Sequence, residues 1–150
     1  MTRVDFYHLQ QSSLEETLPK LLEKAYKTGK NVLVKVGTEP RVEFLNTALW
    51  TYDDQSFLPH GSKKDGNADS QPIWLTAGED NPNNAQLLFL VDGALIDLEK
   101  IDGFERVFNI FDGADEANLN KARIFWKEVK AKGIECYYWQ QDNGNWKQKA

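Results

Sequence analysis

The last thirty residues concentrate the side chains that are best suited to bind a ligand. Residues 120–150 hold seven of the chain's 18 Lys and Arg residues but only three acidic residues, so the segment carries a net charge of about +4. The whole chain, by contrast, has a net charge of −5. Trp126, Trp139 and Trp146, three of the five tryptophans, lie in the same segment. Cations beside large aromatic rings are typical of the residues that dominate binding at interfaces. The segment therefore predicts a local surface for an anionic partner.

Helical spacing in this segment separates apolar from basic side chains. An apolar stripe is formed by Leu119, Ala122, Phe125, Trp126 and Val129. A basic stripe beside it is formed by Arg123, Lys127 and Lys130. A groove along such a helix suits a peptide with a carboxylate and a bulky apolar side chain, since a planar guanidinium binds both carboxylate oxygens. The alternative is a helix whose tryptophan packs in the core and whose lysines are only solvated.

A second group of aromatic residues lies where a predicted helix ends and a loop begins. Trp50, Tyr52 and Phe57 fall within eight residues of one another. Aromatic side chains in such a connecting segment are candidates for exposed anchors of a protein partner.

The sequence has few of the patterns that catalysis requires. Residues 9–13, between the first predicted strand and helix, contain no glycine that would let the backbone approach a phosphate, and no GxxxxGK[ST] sequence occurs. His8 and His60 are the only histidines, and neither has a His or Cys at ligand spacing. The segment that begins Asp65-Gly-Asn67-Ala-Asp69 resembles a calcium-binding loop only in part. Ser70 stands where such a loop needs a glycine, and Thr76 stands where it needs a bidentate glutamate. We therefore expect no catalytic residues, no metal and no cofactor.

Composition indicates an ordinary globular protein. The 150 residues are 41% hydrophobic and 27% charged, which fits a single domain over residues 1–150. Cys136 is the only cysteine, so we expect no internal disulfide and a cytoplasmic location. No apolar run is long enough to span a membrane, and no signal peptide is predicted. The negative net charge argues against direct DNA binding.

Strand and helix patterns alternate along the chain and would position these residues. Strands are predicted at residues 4–9, 31–36, 73–76, 86–91, 106–111 and 134–140, and helices at residues 13–29, 38–50 and 115–132. Ser13 and Glu16 form a capping box, whereas Pro19 is expected to kink or restart the first helix. Residues 61–71 are expected to form a mobile loop. The alternation predicts a three-layer α/β/α domain with a central, mainly parallel (mixed) sheet.

Five ordered segments carry a resemblance to a known family. They are FYHLQQSSLEETLPKLLEKAYKTGKNVLV, TALWTYDDQSFLPHG, PIWLTAGEDNPNNAQLLFLVDGA, ERVFNIFDG and KARIFWKEVKAKG. Pro19, awkward within a helix, is part of the pattern. Along essentially its full length the chain resembles the chi subunit of bacterial DNA polymerase III holoenzyme.

The resemblance implies a non-catalytic adaptor of the clamp-loader assembly. Members of the family form a 1:1 heterodimer with a small partner, psi. They also bind the acidic C-terminal tail of single-stranded-DNA-binding protein, which ends in Pro-Phe and a free carboxylate. The resemblance assigns Arg123 and Trp50 to the tail, with Trp126 and Lys127 beside them, and Phe57 to the psi interface. Leu119 stands where some members have a lysine, so a smaller ionic contribution to tail binding is expected here.

Two other functions stay open at this point. One is a nucleotide- or metal-dependent α/β enzyme, against which the missing glycine loop counts. The other is a direct binder of single-stranded DNA, against which the net charge of −5 counts.

Overall fold

A computed structural model describes residues 2–52, 58–142 and 145–150. The strands are β1 (Arg3–Leu9), β2 (Val32–Val36), β3 (Gly61–Ser62), β4 (Ile73–Thr76), β5 (Leu87–Val91), β6 (Arg106–Asp112), β7 (Glu135–Asp142) and β8 (Asn145–Gln148). The helices are α1 (Leu14–Tyr26), α2 (Glu39–Thr51) and α3 (Glu116–Ala131). Short 3-10 turns lie at Ala68–Ser70 and Ile101–Gly103. Of the helices described, none combines the length and the apolar content needed to cross a membrane.

The strands form one sheet in the order β3-β4-β2-β5-β6-β1-β7-β8. Every neighbouring pair is parallel except β7 and β8, which are antiparallel. The prediction of a mainly parallel, mixed sheet is therefore confirmed. All five residues of β5 are buried, as expected for an apolar strand near the centre of a parallel sheet.

The helices cover both faces of this sheet. In β2, Val34 faces the cluster that contains the buried residues of α1 and α2, whereas the preceding residue, Leu33, faces the cluster that contains those of α3. Such alternation places α1 and α2 on one face and α3 on the other. The three-layer α/β/α prediction is confirmed.

The start of α1 forms as its sequence predicts. The Ser13 hydroxyl accepts a hydrogen bond from the Glu16 N–H at 3.2 Å, and the Glu16 carboxylate accepts one from the Ser13 N–H at 3.2 Å. This reciprocal pair is the predicted capping box. Pro19 lies inside α1 and is buried, and the helix continues through it without restarting.

Two local predictions require correction. Residues 61–71 are not all loop, because Gly61 and Ser62 form β3, parallel to β4. The Asp65 carboxylate accepts hydrogen bonds from the Ser62 N–H at 3.0 Å and the Asn46 amide at 2.8 Å, so polar side chains tie this segment to α2. Strand β8 was not predicted, because three of its four residues are polar; it pairs with β7 at the edge of the sheet.

Gly37 follows β2 at a close approach of two backbone segments. A Cβ atom at this position would lie 2.0 Å from the carbonyl oxygen of Asp92, which follows β5. Because a backbone atom cannot rotate away, we predict that Gly37→Ala lowers the free energy of unfolding by about 1–3 kcal/mol. Urea denaturation measures this loss.

Gly103→Ala is the matched control for this prediction. A Cβ atom at Gly103 would meet nothing within 4 Å, so the free energy of unfolding should stay within about 0.5 kcal/mol of the wild type. Equal stability of the two variants would contradict the close approach at Gly37.

Candidate functional site

The orientation of α3 is fixed by aromatic packing on the sheet. Phe6 of β1 is fully buried, and its ring centroid lies 5.6 Å from that of Phe125 and 5.2 Å from that of Trp126. At the start of the helix, the Asp115 carboxylate accepts a hydrogen bond from the Asn118 N–H at 3.1 Å. With one side of α3 held against the sheet, the residues on its opposite side must face solvent.

The basic stripe predicted on α3 is exposed. Arg123, Lys127 and Lys130 all face solvent, while Trp126 is half-buried beside them. The Lys130 ammonium lies 5.1 Å from the centre of the Trp126 ring, a cation–π geometry. The predicted juxtaposition of cations and an aromatic ring on this helix is present.

Arg123 differs from the other arginines in its electrostatic environment. Arg3 and Arg106 both pair with the buried Asp5, at 2.9 and 2.7 Å. Arg41 pairs with two carboxylates, each at 2.8 Å. Within the described part of the chain, no carboxylate lies within 4 Å of Arg123. Its guanidinium is therefore available to a carboxylate from outside.

Two residues that the sequence analysis missed complete the surface. The Tyr138 hydroxyl lies 2.7 Å from His8 Nδ1, and the Tyr138 ring packs edge-on against Trp126 with centroids 5.7 Å apart. Tyr138 pairs with Phe6 in the parallel register of β1 and β7, so both lie on the α3 face. We call Arg123, Trp126, Lys127, His8 and Tyr138 the α3 surface.

The positive charge of the α3 surface at neutral pH comes from α3 alone. Burial lowers the pKa of His8, the nearby Arg123 lowers it further, and Asp112 opposes both effects. Burial raises the pKa of Tyr138, which Arg123 opposes. Both side chains are consequently uncharged at neutral pH. The surface thus combines an unpaired planar cation with neutral, half-buried rings, which suits a carboxylate attached to an apolar group.

Trp50 is not part of this surface. Trp50 lies near the end of α2, 47% exposed, with its ring centroid 4.1 Å from that of His60. Because α2 and α3 cover opposite faces of the sheet, the structure brings Trp126 and Lys127 together with Arg123 but not Trp50. Phe57 lies outside the described residues.

The crevice where many α/β proteins bind nucleotides is filled by the protein itself. Strands β1 and β6 are neighbours in the sheet, but the helices that follow them, α1 and α3, lie on opposite faces. A nucleotide-binding crevice opens at the carboxyl ends of two such strands. Here the backbone N–H groups of Gln10, Gln11 and Ser12 all donate to Oε1 of Gln141, at 2.8 to 3.1 Å. The side-chain oxygen of Gln141 occupies the position that a bound anion would take, which counts against a nucleotide-dependent enzyme. Among the described residues, no group of three or more His, Cys, Asp or Glu side chains is placed to hold a metal ion.

The environment of His8 predicts a pH-dependent contribution to stability. The pKa of His8 in the folded state lies below its ordinary value of 6.5. As the pH falls, His8 is therefore protonated at a higher pH in the unfolded chain than in the folded chain. The free energy of unfolding should then fall as the pH is lowered below about 6.5. We predict that the wild type loses more stability than His8→Gln between about pH 7.5 and pH 5.5, measured by urea denaturation. Equal losses would show that His8 does not titrate differently in the two states.

The family and the relatives that match this sequence carry the same description. The sequence matches the family described as DNA polymerase III chi subunit, HolC, over residues 1–137. A probable DNA polymerase III subunit chi from Rickettsia prowazekii is 32% identical over 111 residues, which are 74% of this chain and 66% of that protein. The DNA polymerase III subunit chi of Pseudomonas aeruginosa is 33% identical over 92 residues, 59% of this chain and 63% of that protein. That of Haemophilus influenzae is 25% identical over 134 residues, 85% and 90% of the two chains.

The matched part of the chain spans slightly less than two thirds of the first two relatives and most of the third. The family match itself covers nearly all of the chain, including β1 through α3. The resemblance seen in the sequence is confirmed: the chain belongs to the DNA polymerase III chi subunit family.

Proposed function

We propose that this chain is a non-catalytic accessory subunit of the DNA polymerase III holoenzyme, acting in the cytoplasm as an adaptor of the clamp-loader assembly. The family match and the names of the relatives support a role in this holoenzyme. The Gln141 side chain in the nucleotide crevice supports an adaptor over a nucleotide-dependent enzyme.

The α3 surface is the proposed site for the acidic C-terminal tail of single-stranded-DNA-binding protein. The observation that carries this proposal is the exposed guanidinium of Arg123, which has no carboxylate partner within the described residues. The terminal carboxylate of the tail would accept both hydrogen bonds from Arg123. The side chain of the same terminal phenylalanine would pack on Trp126 and Tyr138, and the acidic residues upstream would lie near Lys127.

The face formed by α2 is the proposed side for psi, in a 1:1 complex. Trp50 is a large ring left 47% exposed close before the segment that contains Phe57. Burying such a ring recovers the free energy that its exposure to water costs. We therefore propose Trp50 together with Phe57 for the psi interface, and not for the tail to which the resemblance assigned it, because one short peptide end cannot contact both faces of the sheet.

Arg123→Ala should weaken binding of the tail peptide. Loss of a charge-assisted hydrogen bond costs about 1.5–3 kcal/mol, which is roughly 10- to 150-fold in dissociation constant. The loss should shrink at high salt, because salt screens ion pairs between exposed groups. Calorimetric titration of the peptide at low and high salt measures both effects.

Two variants serve as controls for this prediction. Arg123→Lys keeps the charge but loses the planar fork, so its affinity should fall between those of the wild type and Arg123→Ala. Trp50→Ala should bind the tail with wild-type affinity. Wild-type affinity in Arg123→Ala would reject the α3 surface as the tail site, and a loss in Trp50→Ala equal to that in Arg123→Ala would reject the assignment of the two faces.

For binding to psi, the expected effects of the Trp50 and Arg123 substitutions are the reverse of those for the tail. Trp50→Ala and Phe57→Ala should each weaken the 1:1 complex with psi about 10-fold or more, the effect of truncating an aromatic anchor, whereas Arg123→Ala should not. Co-elution with psi at a series of concentrations, together with circular dichroism of each variant, tests this. An unfolded Phe57→Ala variant, or full psi binding by both variants, would contradict the proposed interface.

A further inference from the structure

A groove opens on the α1 face of the sheet, opposite the α3 surface. Two cavities of about 420 and 620 Å³ adjoin each other and share Leu21, Lys24 and Trp146 as lining residues. One wall of the groove is α1, and the other is formed by β7 and β8. The family match ends at residue 137, so Trp139 and Trp146 of this wall lie beyond the matched part of the chain.

The sheet side of the groove is aromatic. Tyr7, Trp139 and Trp146 are each half-buried. The Tyr7 ring is nearly parallel to that of Trp139, with centroids 6.4 Å apart, and nearly perpendicular to that of Trp146, at 4.9 Å. The Trp139 indole N–H donates to the buried Asp5 carboxylate at 3.0 Å, which holds its ring in place. The groove therefore presents ring surfaces whose orientation is already fixed.

The helix side of the groove is basic. The larger cavity is lined by Lys20 and Lys24 of α1 and by Lys27 at its C-cap. Their i, i+4 and i+7 spacing makes a row about 10 Å long at the rise of a helix. All three are exposed, and no carboxylate of the described residues lies within 4 Å of any of them. Glu23 also lines this cavity, so the row is interrupted by one acidic side chain.

Arg106 and Lys30 extend the basic lining into the smaller cavity. Arg106 lies over the Phe108 ring, with its guanidinium carbon 4.6 Å from the ring centre, and also pairs with Asp5. Lys30 forms an ion pair with Glu105. The lysines of α1 are therefore the cations of the groove that an incoming anion can neutralise without breaking an internal pair.

We propose that this groove binds single-stranded nucleic acid, a function beyond the adaptor role. The row of lysines would contact successive phosphates, while unpaired bases would stack on Trp146 and Tyr7. A basic groove with aromatic faces is the arrangement by which single strands are bound without sequence preference. Duplex DNA keeps its bases inside the stack, and an acidic peptide without aromatic side chains would use the lysines but leave the rings unused. The net charge of −5 belongs to the whole chain and weakens long-range attraction. Binding is still expected to be strongest at low salt, because each contact between a lysine and a phosphate releases counterions.

The test is fluorescence anisotropy with labelled oligothymidylate and oligouridylate of about 12 nucleotides, within the length that one such groove accommodates. The full chain should bind both at low salt and lose affinity as salt is raised. Tighter binding of one identifies DNA or RNA as the preferred strand. Trp146→Ala should weaken binding by roughly 5- to 150-fold, the range for loss of one stacked base.

A double variant with a matched control keeps the proposal testable if Trp146→Ala disturbs β8. Lys24→Ala with Lys27→Ala should weaken binding and flatten the plot of log affinity against log salt by about 1.4, since each phosphate contact contributes about 0.7. Lys63→Ala with Lys64→Ala removes the same charge from exposed positions outside the groove and should change neither. Arg123→Ala should also bind the oligonucleotide normally, which separates this groove from the α3 surface. No binding by the wild type at low salt, equal losses in the two double variants, or tighter binding of duplex than of single strands would overturn the proposal.

Discussion

The packing of α3 against β1 through Phe6 is the contact on which the candidate site depends. Phe6 has no exposed surface, and its ring meets the rings of Phe125 and Trp126 on the helix. Aromatic pairs of this kind contribute about 0.5–1.5 kcal/mol each beyond the burial of apolar area. Since Phe125 and Trp126 are held inward, Arg123 is turned to solvent on a rigid element. The backbone that carries this cation is thus positioned before any ligand binds, which lowers the entropy cost of binding.

The sheet topology gives the protein two separate faces for the two proposed partners. The chain passes from β6 through α3 to β7 on one face, and from β1 through α1 to β2 and on to α2 on the other. A central sheet buried on both sides keeps these faces apart, so a ligand on α3 does not compete with one on α2 for the same atoms. An adaptor that holds two partners at once needs this separation. The third surface, the groove between α1 and β8, lies on the α1 face and uses different cations.

Short-range sequence patterns predicted most of the fold. The candidate site depends on contacts between residues far apart in the chain, which such patterns do not predict. The Ser13 and Glu16 capping box and the apolar run of β5 are short-range patterns, and both formed as predicted. The pairing of β1 with β7 is non-local, so the approach of Tyr138 to His8 was not visible from residues 130 positions apart. Likewise, the resemblance gives the identity of Trp50 but not the face on which α2 lies. That face follows from the two hydrophobic clusters that successive buried residues of β2 join, Leu33 the cluster of α3 and Val34 that of α1 and α2.

The proposed recognition of the terminal carboxylate of a bound tail by Arg123 is tested most directly by a double-mutant cycle. The tail peptide would be titrated calorimetrically in two forms, with a free and with an amidated C-terminus, against the wild type and Arg123→Ala. If the two groups interact, amidation weakens binding to the wild type but has little further effect on Arg123→Ala, giving a coupling of about 1.5–3 kcal/mol. Additive losses, with a coupling near zero, would show that the carboxylate is bound elsewhere and would contradict the account.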